Sequence, residues 1–448
     1  MRASVINLCI VPCAFIYVST SAFAATPVKL IDTSTPGPNG EMFQGFQAPR
    51  STDHFAARWS NGGSGVLLLN PSGSYSVIAS NTTPIPAGTG AFTGFDSPDF
   101  RIGRATGDNQ EGLYLLNNSS HVAVVADRST PIPGGSGTFE RFGHYPLGDQ
   151  NGTFYGEGAG LQRGIYGYTN LNTGPIFVRA DTQMMFPGTT EHFTEFSERL
   201  SGSMFIGRSA THRGVFWSGG PGEPTPIIDT SFDVLAGSAG EKFTDFDEVS
   251  SVATPAIIGH GESHYGVYFM SGLPFWAGSR RVADNTTTIP GGTGVFTGFS
   301  DLNSVSGLDF GLPTVVFTGY GIGGQKGIYG AELYQSGGQN FGKILAVGDS
   351  VDGKIVSDLA MTNQGGTYQI YFLASFSDGS SGIYRMQTPE PTMLALPLLV
   401  LTLMRRRDPS PTPQNDRPPH GPARPFSVRA VGFHLRIFAS LGTSHRRW

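Results

Sequence analysis

The sequence predicts an all-β protein, a seven-bladed β-propeller of about 52-residue repeats whose ring is closed by the N-terminal strand. Three observations support this fold: a turn-rich composition, three motifs that each recur seven times in the same order, and a repeat that starts and stops out of phase. Glycine (63) and proline (31) make up about a fifth of the 448 residues, and charged residues only 14%. This composition excludes long helical bundles, while 32 phenylalanines are too many for a disordered chain.

The first motif is a β run that ends in aspartate or a substitute for it. Its seven copies end at Asp32, Ser80, Asp127, Asp181, Asp229, Asp284 and Asp349. A carboxylate that accepts backbone N–H bonds is common where a strand passes into a turn, so we expect a structural role. A ring of cation-binding carboxylates is the alternative.

The second motif is a Pro/Gly-rich loop followed by two phenylalanines three residues apart. The loop is clearest at 83–90, 130–137 and 288–294. The pairs are Phe43 and Phe46, Phe92 and Phe95, Phe139 and Phe142, Phe193 and Phe196, Phe243 and Phe246, and Phe296 and Phe299, with Val356 and Leu359 in the seventh copy. We expect these side chains to form the core between blades rather than a stacking surface for a ligand.

The third motif is a glycine followed by a β-branched residue or leucine and usually an aromatic. Its copies begin at Gly65, Gly112, Gly164, Gly214, Gly266, Gly327 and Gly382. The spacing of about 52 residues suits a four-stranded blade with its loops. The first strand is predicted at the phenylalanine pair, the second before the third motif, the third at that motif and the fourth before the aspartate, with tight hairpins between the second and third strands.

The phase of the repeat predicts how the ring closes. The chain after the leader opens on a fourth strand, Val28 to Ile31, and closes on a third strand, Gly382 to Met386. The N-terminal strand is therefore expected to complete the last blade. An open solenoid is the alternative, but it requires polar capping repeats, and neither terminal copy looks like one. The order of aspartate, Pro/Gly loop and Gly-Ile-Tyr resembles bacterial tandem-repeat proteins of the NxxGxxAF type.

Residues 1–24 have the pattern of a secretory signal peptide. Arg2 precedes an apolar run over 5–18, and the segment ends in Ala22-Phe23-Ala24, which predicts cleavage by signal peptidase between Ala24 and Ala25. A membrane helix is the alternative, but the run falls short of the ~20 apolar residues needed to span. Both cysteines lie in this leader, so we expect no disulfide or thiol nucleophile in the mature chain.

The segment 389–407 has three parts in a fixed order. They are Pro389, Glu390 and Pro391, then an apolar run over 393–404, then Arg405, Arg406 and Arg407. This order resembles the PEP-CTERM sorting signal of Gram-negative bacteria that make extracellular polysaccharide, and the resemblance implies removal by an exosortase-type transpeptidase. Twelve helical residues span about 18 Å, well short of a ~30 Å hydrocarbon layer, so only transient membrane contact through 393–404 is expected.

The Pro-rich, basic tail over 408–448 departs from that family pattern. Members of the family usually end soon after the basic cluster, whereas 41 residues follow it here. We expect this tail to be disordered. The arginine cluster itself predicts a cytoplasmic position for the C-terminal side of the apolar run, with the propeller outside.

Charge and motifs exclude several functions for the body, residues 25–388. It carries nineteen basic and thirty-one acidic residues, which argues against nucleic-acid binding. It has no Gly-x-Ser-x-Gly, His-Glu-x-x-His or Walker loop. We therefore predict no catalytic residues, metal ligands or cofactor.

Two clusters of titratable residues need an explanation nonetheless. His260, Glu262 and His264 are spaced two residues apart, as metal ligands on one face of a strand would be. His264, however, lies at a variable turn position two residues before Gly266, so we expect an exposed polar turn. Asp245 and Asp247 imitate the carboxylate pair of a glycosidase, but they occur in one copy only, and solvated charge is the better interpretation.

The sequence thus favours an exported cell-surface or extracellular-matrix protein with a non-catalytic binding or structural role, and extracellular polysaccharide as a candidate partner. A secreted propeller enzyme that acts on glycans is the alternative. Propellers support both functions, so the fold cannot choose between them.

The two terminal signals predict the mass of the mature protein. In a host that has an exosortase, the exported form should begin at Ala25 and lack the residues after the apolar run, because both signals are removed on export. N-terminal sequencing and intact mass measure this. A surface form that begins at Met1 would refute export by cleavage, and one that keeps Trp448 would show that the tail signal is not processed.

Overall fold

The computed structural model describes residues 26–387, with gaps at 52, 71–72, 100, 119–120, 144–146, 149–150, 170–173, 232–239, 251–254, 272–277, 306–312, 335–337 and 362–368. These residues form seven antiparallel sheets of four main strands, arranged as a seven-bladed β-propeller. The predicted fold class is confirmed. The processing site at Ala24 and Ala25 and the whole segment from Pro389 to Trp448 lie outside the described residues.

The strands follow the repeat in chain order, and the N-terminal strand β1 (Val28–Asp32) precedes the first blade. Blades 1 to 3 contain β2 (Phe43–Phe46), β3 (His54–Trp59), β4 (Ser64–Leu69) and β5 (Tyr75–Ser80); β6 (Phe92–Phe95), β7 (Ile102–Gly107), β8 (Gln110–Asn118) and β9 (His121–Asp127); β10 (Phe139–Phe142), β11 (Leu147–Gly148), β12 (Asn151–Gly158), β13 (Arg163–Thr169) and β14 (Ile176–Asp181). The short β11 pairs with β12 beside the main sheet.

Blades 4 to 7 continue the same order. They contain β15 (Glu195–Phe196), β16 (Met204–Arg208), β17 (Arg213–Trp217) and β18 (Thr225–Asp229); β19 (Asp245–Ser250), β20 (Ala256–His260), β21 (Tyr265–Ser271) and β22 (Gly278–Asp284); β23 (Phe296–Val305), β24 (Thr314–Gly321), β25 (Lys326–Leu333) and β26 (Gln339–Ala346); β27 (Ser350–Val351), β28 (Lys354–Met361), β29 (Gln369–Phe376) and β30 (Ser381–Gln387). Three 3₁₀ turns lie at Pro38–Gly40, Ala159–Leu161 and Ile322–Gly324. The last two replace the tight hairpin expected between the second and third strands of blades 3 and 6.

The first strand of each blade faces the propeller axis, and we call it the inner strand; the fourth is the outer strand. Hydrogen bonds join inner strands of neighbouring blades directly. Gln47 Nε2 donates to Phe95 O (2.8 Å), and Ser97 N donates to Gln47 Oε1 (2.9 Å). In blades 5 and 6, Leu302 N donates to Glu248 Oε1 (3.1 Å). The inner ends of neighbouring blades are therefore in direct contact.

A β-bulge in the inner strand brings the two phenylalanines of a pair together. In a regular strand, residues three apart point to opposite faces. In five blades the pairing register shifts inside the pair, as between Phe43 and Gly45 or between Phe139 and Arg141. Two residues then oppose one, and both rings turn to the same face. Ring centroids lie 5.1–5.3 Å apart in all six phenylalanine pairs.

The phenylalanines pack between blades rather than within one sheet. The described residues form seven hydrophobic clusters, each built from two neighbouring blades. In blade 3 the Phe139 ring meets the Tyr166 ring of the third motif edge-on, with centroids 4.9 Å apart. Blades 2, 4, 5 and 6 repeat this contact at 4.9–5.3 Å, with a phenylalanine in place of the tyrosine in blade 4. Edge-to-face pairs of this kind add to the burial energy. The expectation that the pairs form core is confirmed.

The glycine of the third motif is required by a second bulge, in the outer strand. A Cβ atom on Gly164 would lie 2.7 Å from the carbonyl oxygen of Ala180, and one on Gly266 would lie 2.4 Å from that of Ala283. The register shifts next to this glycine in all seven blades. The outer strand thus crosses the third strand too closely for any side chain at this position.

The N-terminal strand closes the ring with the same two features. β1 pairs antiparallel with β30 in the order β1-β30-β29-β28, and its register shifts between Lys29 and Ile31. A Cβ atom on Gly382 would lie 2.9 Å from Ile31 O. Ile31 and Ile383 of the last blade share a cluster with Phe43 of the first. Ring closure by the N-terminal strand is confirmed, and the open solenoid is excluded.

One aspartate was misaligned by the sequence reasoning. Ala346, not Asp349, stands opposite Gly327 at the end of the outer strand of blade 6. Asp349 Oδ2 accepts a hydrogen bond from Ala346 N (2.8 Å). In blade 2, the hydroxyl of Thr130 accepts the equivalent bond from Asp127 N. The short loop of this copy shifts the carboxylate by three residues.

Loss of the N-terminal strand should destabilise the whole ring. Deleting residues 25–33 exposes the long edge of β30 and removes the strand through which the last blade is joined to the first. We expect a lower melting temperature, oligomers on size exclusion, and a loss of several kcal/mol out of a typical 5–15 kcal/mol.

Point variants in β1 provide the control. Ile31 is 2% exposed and Val28 is 50% exposed. Ile31→Ala should lower the free energy of unfolding by about 2–5 kcal/mol and Val28→Ala by less than about 0.5 kcal/mol. A truncated chain that stays monomeric with an unchanged melting temperature would contradict ring closure by β1.

Candidate functional site

Two sets of segments emerge at the same end of the blades and form what we call the loop face. They are the loops from each outer strand to the next inner strand, such as 285–295, and the turns between second and third strands, such as 322–325. Antiparallel order places both at one end of each sheet. All the polar clusters considered below lie on this face or on the inner strands beneath it.

The aspartates of the first motif each organise their own turn. Asp127 Oδ1 accepts bonds from Ser129 N (2.9 Å), Ser129 Oγ (2.6 Å) and Thr130 Oγ1 (3.1 Å). Asp32 and Asp284 accept the same three bonds from the residues two and three positions later. The structural role expected for these carboxylates is confirmed, because their oxygens are engaged locally.

Hydrogen bonding sets the acidity of these carboxyls. Burial opposes ionisation of Asp32, but bonds from Ser34, Lys29 and Thr35 outweigh it and lower its pKa to about 2. The pKa of Asp127 is lowered for the same reason. In Asp181, burial prevails over backbone bonds alone and raises the pKa, because Gln183 and Met184 supply no hydroxyl.

Side chains also join the two parts of the loop face within a blade. In blade 6, Thr293 N donates to Gln325 Oε1 (3.0 Å), and Gln325 Nε2 donates to Thr293 O (3.0 Å). In blades 4 and 5 the direction reverses. Glu191 accepts bonds from Thr211 N (3.1 Å) and Ser209 Oγ (2.5 Å), and Glu241 accepts bonds from the turn that contains His264. Sequence reasoning missed these glutamates, although each stands two residues before the first phenylalanine.

The three residues of the histidine cluster do not converge. His260 ends β20, where its Nε2 lies 2.7 Å from Asp247 Oδ2 and its ring stacks on Tyr265. His264 lies in the turn, with Nδ1 2.5 Å from Glu241 Oε2, and Glu262 is exposed at the bend between them. The three residues do not share a strand face, because the chain turns after His260, and the polar turn that the sequence predicts is found.

The two aspartates of blade 5 are paired with bases rather than with each other. Asp245 contacts Arg208 Nε (3.2 Å) and Arg213 Nε (3.5 Å), and Asp247 contacts His260. They start an inner strand instead of lying in a loop. Neither carboxylate is held as the free pair that a glycosidase needs.

The most perturbed carboxyl belongs to Glu248, on the inner strand of blade 5. It is 2% exposed, and burial raises its pKa to about 7 against the attraction of Arg199. Arg199 Nη1 lies 2.8 Å from Glu248 and 3.7 Å from Asp301, so one guanidinium bridges blades 4, 5 and 6. Among the residues that the structure describes, no group of three His, Cys, Asp or Glu side chains has the geometry to hold a metal.

A polar cleft of about 850 Å³ opens between blades 1 and 2. The inner strands β2 and β6 and the second strands β3 and β7 line it. Its hydrogen-bonding side chains include those of Gln44, Arg58, Ser64, Thr93 and Thr106. Its volume lies in the range of small-ligand sites.

No protein-family model and no curated protein matches the chain. Among solved structures, the WD40 domain of SCAP from fission yeast aligns with 83% of this chain and 92% of its own, at 9% identity and a TM-score of 0.39. The complex of the fission yeast SREBP and SCAP binding domains aligns with 68% and 77%, at 11% identity and 0.37. The S. cerevisiae Core Factor aligns with 86% and 64%, at 9% identity and 0.37. At such values the likeness concerns the fold alone.

The turn aspartates predict a pH-dependent stability. Because the folded pKa of Asp127 lies below its ordinary 3.8, its ionised form stabilises the fold above that pH, and the contribution is lost as pH falls below it. Asp127→Asn should therefore lower the free energy of unfolding at pH 6, and the difference from wild type should shrink below pH ~4. Urea unfolding at several pH values measures it.

Asp181→Asn is the matched control, at the same position of the next blade. The raised folded pKa of Asp181 makes its ionised form unfavourable, so the variant should lose no stability at pH 6 through the charge. A loss for Asp127→Asn that stays constant from pH 6 to pH 3 would refute the electrostatic account.

Proposed function

We propose that the protein is an exported, non-catalytic binding propeller of the cell surface or extracellular matrix, and that its ligand is extracellular polysaccharide. The binding role is inferred from a contrast on the inner strands between engaged acidic groups and an open polar cleft. Several of the described acidic groups on these strands, such as Asp245, Glu248 and Asp358, are engaged by bases, whereas an open polar cleft lies between blades 1 and 2.

The two ends of the chain support export. The leader that ends at Ala24 directs the chain to signal peptidase, and the Pro389-Glu390-Pro391 segment with its arginine cluster resembles a substrate signal for an exosortase-type transpeptidase. In the described part of the chain, no helix is long and apolar enough to cross a membrane. The apolar run over 393–404 would supply the temporary anchor during processing.

The alternative, a propeller enzyme that cleaves glycans, has one observation in its favour. A general acid needs a pKa near the working pH, and Glu248 has a pKa of about 7 beside Asp301. Both oxygens of Glu248 are occupied, however: Leu302 N bonds to Oε1 (3.1 Å) and Arg199 to Oε2 (2.8 Å). A carboxyl that is 2% exposed and fully bonded cannot reach a glycosidic oxygen, so binding is the better account.

A glycan array and a hydrolysis assay on the same protein test the proposal. We expect the mature chain to bind a subset of polysaccharides and to release no reducing ends from them on long incubation. The binding should survive Glu248→Gln, because this residue stabilises the inner strands and does not contact ligand.

Glu262→Gln, an exposed change on the loop face, serves as the control for the array. Release of reducing ends that Glu248→Gln abolishes and Glu262→Gln does not would establish the enzyme instead. Failure to bind any glycan, by a chain that melts cooperatively, would overturn the polysaccharide assignment.

A further inference from the structure

Arg58, in the cleft between blades 1 and 2, has an exact register equivalent in blade 4. Arg58 stands opposite Gly45 of the inner strand, and Arg208 stands opposite Glu195. Arg208 is the last residue of the second strand of its blade, and Arg58 is the last but one. The repeat therefore allows a direct comparison of two guanidinium groups in the same structural position.

Arg208 has three partners, all on inner strands. They are the carboxylate of Glu195 in its own blade (3.6 Å), the carboxylate of Asp245 in the next blade (3.2 Å) and the carbonyl of Phe246 (3.2 Å). Two carboxylates and a carbonyl thus hold one guanidinium between blades 4 and 5. An arrangement of this kind uses the planar donor pattern of arginine.

Around Arg58 the two carboxylates are missing and the carbonyl is already engaged. Gly45 stands in place of Glu195, Gly94 stands in place of Asp245, and the carbonyl of Phe95 already accepts its bond from Gln47 (2.8 Å). Arg58 is exposed, and among the described residues no carboxylate lies within ion-pair distance of it. Blade 1 thus has an arginine at the same position as blade 4 but lacks the two carboxylates that pair with the blade 4 arginine.

Neither glycine meets a backbone requirement, and at Gly94 the one close neighbour, Thr106 Oγ1 at 2.8 Å from a built Cβ atom, belongs to a side chain. Gly45 and Gly94 are not among the described residues with positive φ. A Cβ atom on Gly45 would have no atom within 4 Å, and one on Gly94 would meet only the side-chain oxygen of Thr106. Space that Glu195 and Asp245 fill in blades 4 and 5 is here part of the cleft of about 850 Å³.

The remaining blades fill the equivalent position. Arg141 of blade 3 pairs with Glu157 (2.8 Å) and Glu198, and Asp358 of blade 7 pairs with Lys326 (2.7 Å). In blade 6, Gly298 lies against the ring of Tyr320. An open position on two adjacent inner strands thus occurs only between blades 1 and 2 in the described structure.

We propose that this cleft binds an acidic oligosaccharide, with a uronate carboxylate bound by Arg58 in the place that the Glu195 and Asp245 carboxylates occupy around Arg208. The proposal rests on the polysaccharide-binding function above and names its ligand class and site. Hydroxyl and amide groups of Gln44, Ser64, Thr93 and Thr106 line the same space and suit sugar hydroxyls, which need many partners. This lining favours a saccharide over an acidic peptide.

Isothermal titration with a galacturonic acid trimer and a neutral galactose trimer tests the proposal on the mature chain. We expect the acidic trimer to bind at least tenfold more tightly than the neutral one, because only its carboxylates can form a charged, hydrogen-bonded pair with Arg58. Arg58→Gln should remove that preference. Arg128→Gln, an exposed arginine outside the cleft, should keep it.

Gly45→Glu is the decisive variant, because it rebuilds the blade 4 arrangement. The new carboxylate should pair with Arg58, occupy the cleft and abolish binding, while the melting temperature stays equal to wild type or rises. Loss of binding with an intact melt supports the site, and a protein that fails to fold leaves Arg58→Gln to decide.

Three results would overturn the proposal. One is equal affinity for both trimers, and another is an acidic preference that Arg58→Gln leaves unchanged; in either case glycan binding itself would stand and lie elsewhere. The third is binding of an oligoglutamate peptide but of no uronate, which would replace the saccharide by an acidic protein segment. An array on which no glycan binds at all would instead refute the underlying function.

Discussion

The ring depends on a β-bulge inside the inner strand, which is observed in five of the seven blades. Without it, Phe139 and Phe142 would point to opposite faces, and only one ring could enter the cluster between blades 2 and 3. With it, both rings are buried in the same interface, each at about 1.5–3 kcal/mol of transfer free energy. The hydrophobic core is therefore a set of seven interfaces in the described structure, and a single sheet has no core of its own. A blade is stable only when it has neighbours on both sides, so the ring must close.

The N-terminal strand that closes the ring makes the same contacts as the outer strands of the other blades. β1 comes from the other end of the chain, yet it carries the outer-strand bulge, passes over Gly382 at close range and starts its turn with Asp32, as internal outer strands do. Ile31 then enters the cluster of blades 7 and 1. Because the fourth strand of the last blade is contributed by the N-terminus, the first and last strands of the propeller are hydrogen-bonded to each other. Unfolding at this joint therefore requires a strand to leave a sheet rather than two blades to slide apart.

Repetition made the blades predictable from sequence, since seven copies of Gly-Ile-Tyr-like motifs fix the strand order even where single strands are ambiguous. The three-residue spacing of the phenylalanines is explained by the bulge, but the bulge itself is visible only in the observed pairing register of the strands. Asp349 was misaligned because a shortened loop changes which residue meets Ala346 N. The pairing of Glu241 with His264, and the isolation of Arg58, depend on which loops and strands lie side by side. Such contacts join positions about 20 to 50 residues apart and leave no local pattern in the chain.

In a protein built from repeats, recognition of one ligand must come from a place where the copies differ. Most differences on the inner strands are compensated: the charge of Asp245 is matched by Arg208, and that of Asp358 by Lys326. Around Arg58 the difference is a loss of side chains, not a gain, and the one carboxylate that lines the same cleft, Asp96, is paired with Arg104 (3.7 Å). Motif searches look for residues that are present, so they cannot detect a site created by two glycines. Comparison of equivalent positions in the ring detects it, because blade 4 shows what a guanidinium at this position binds when its partners are supplied by the chain itself.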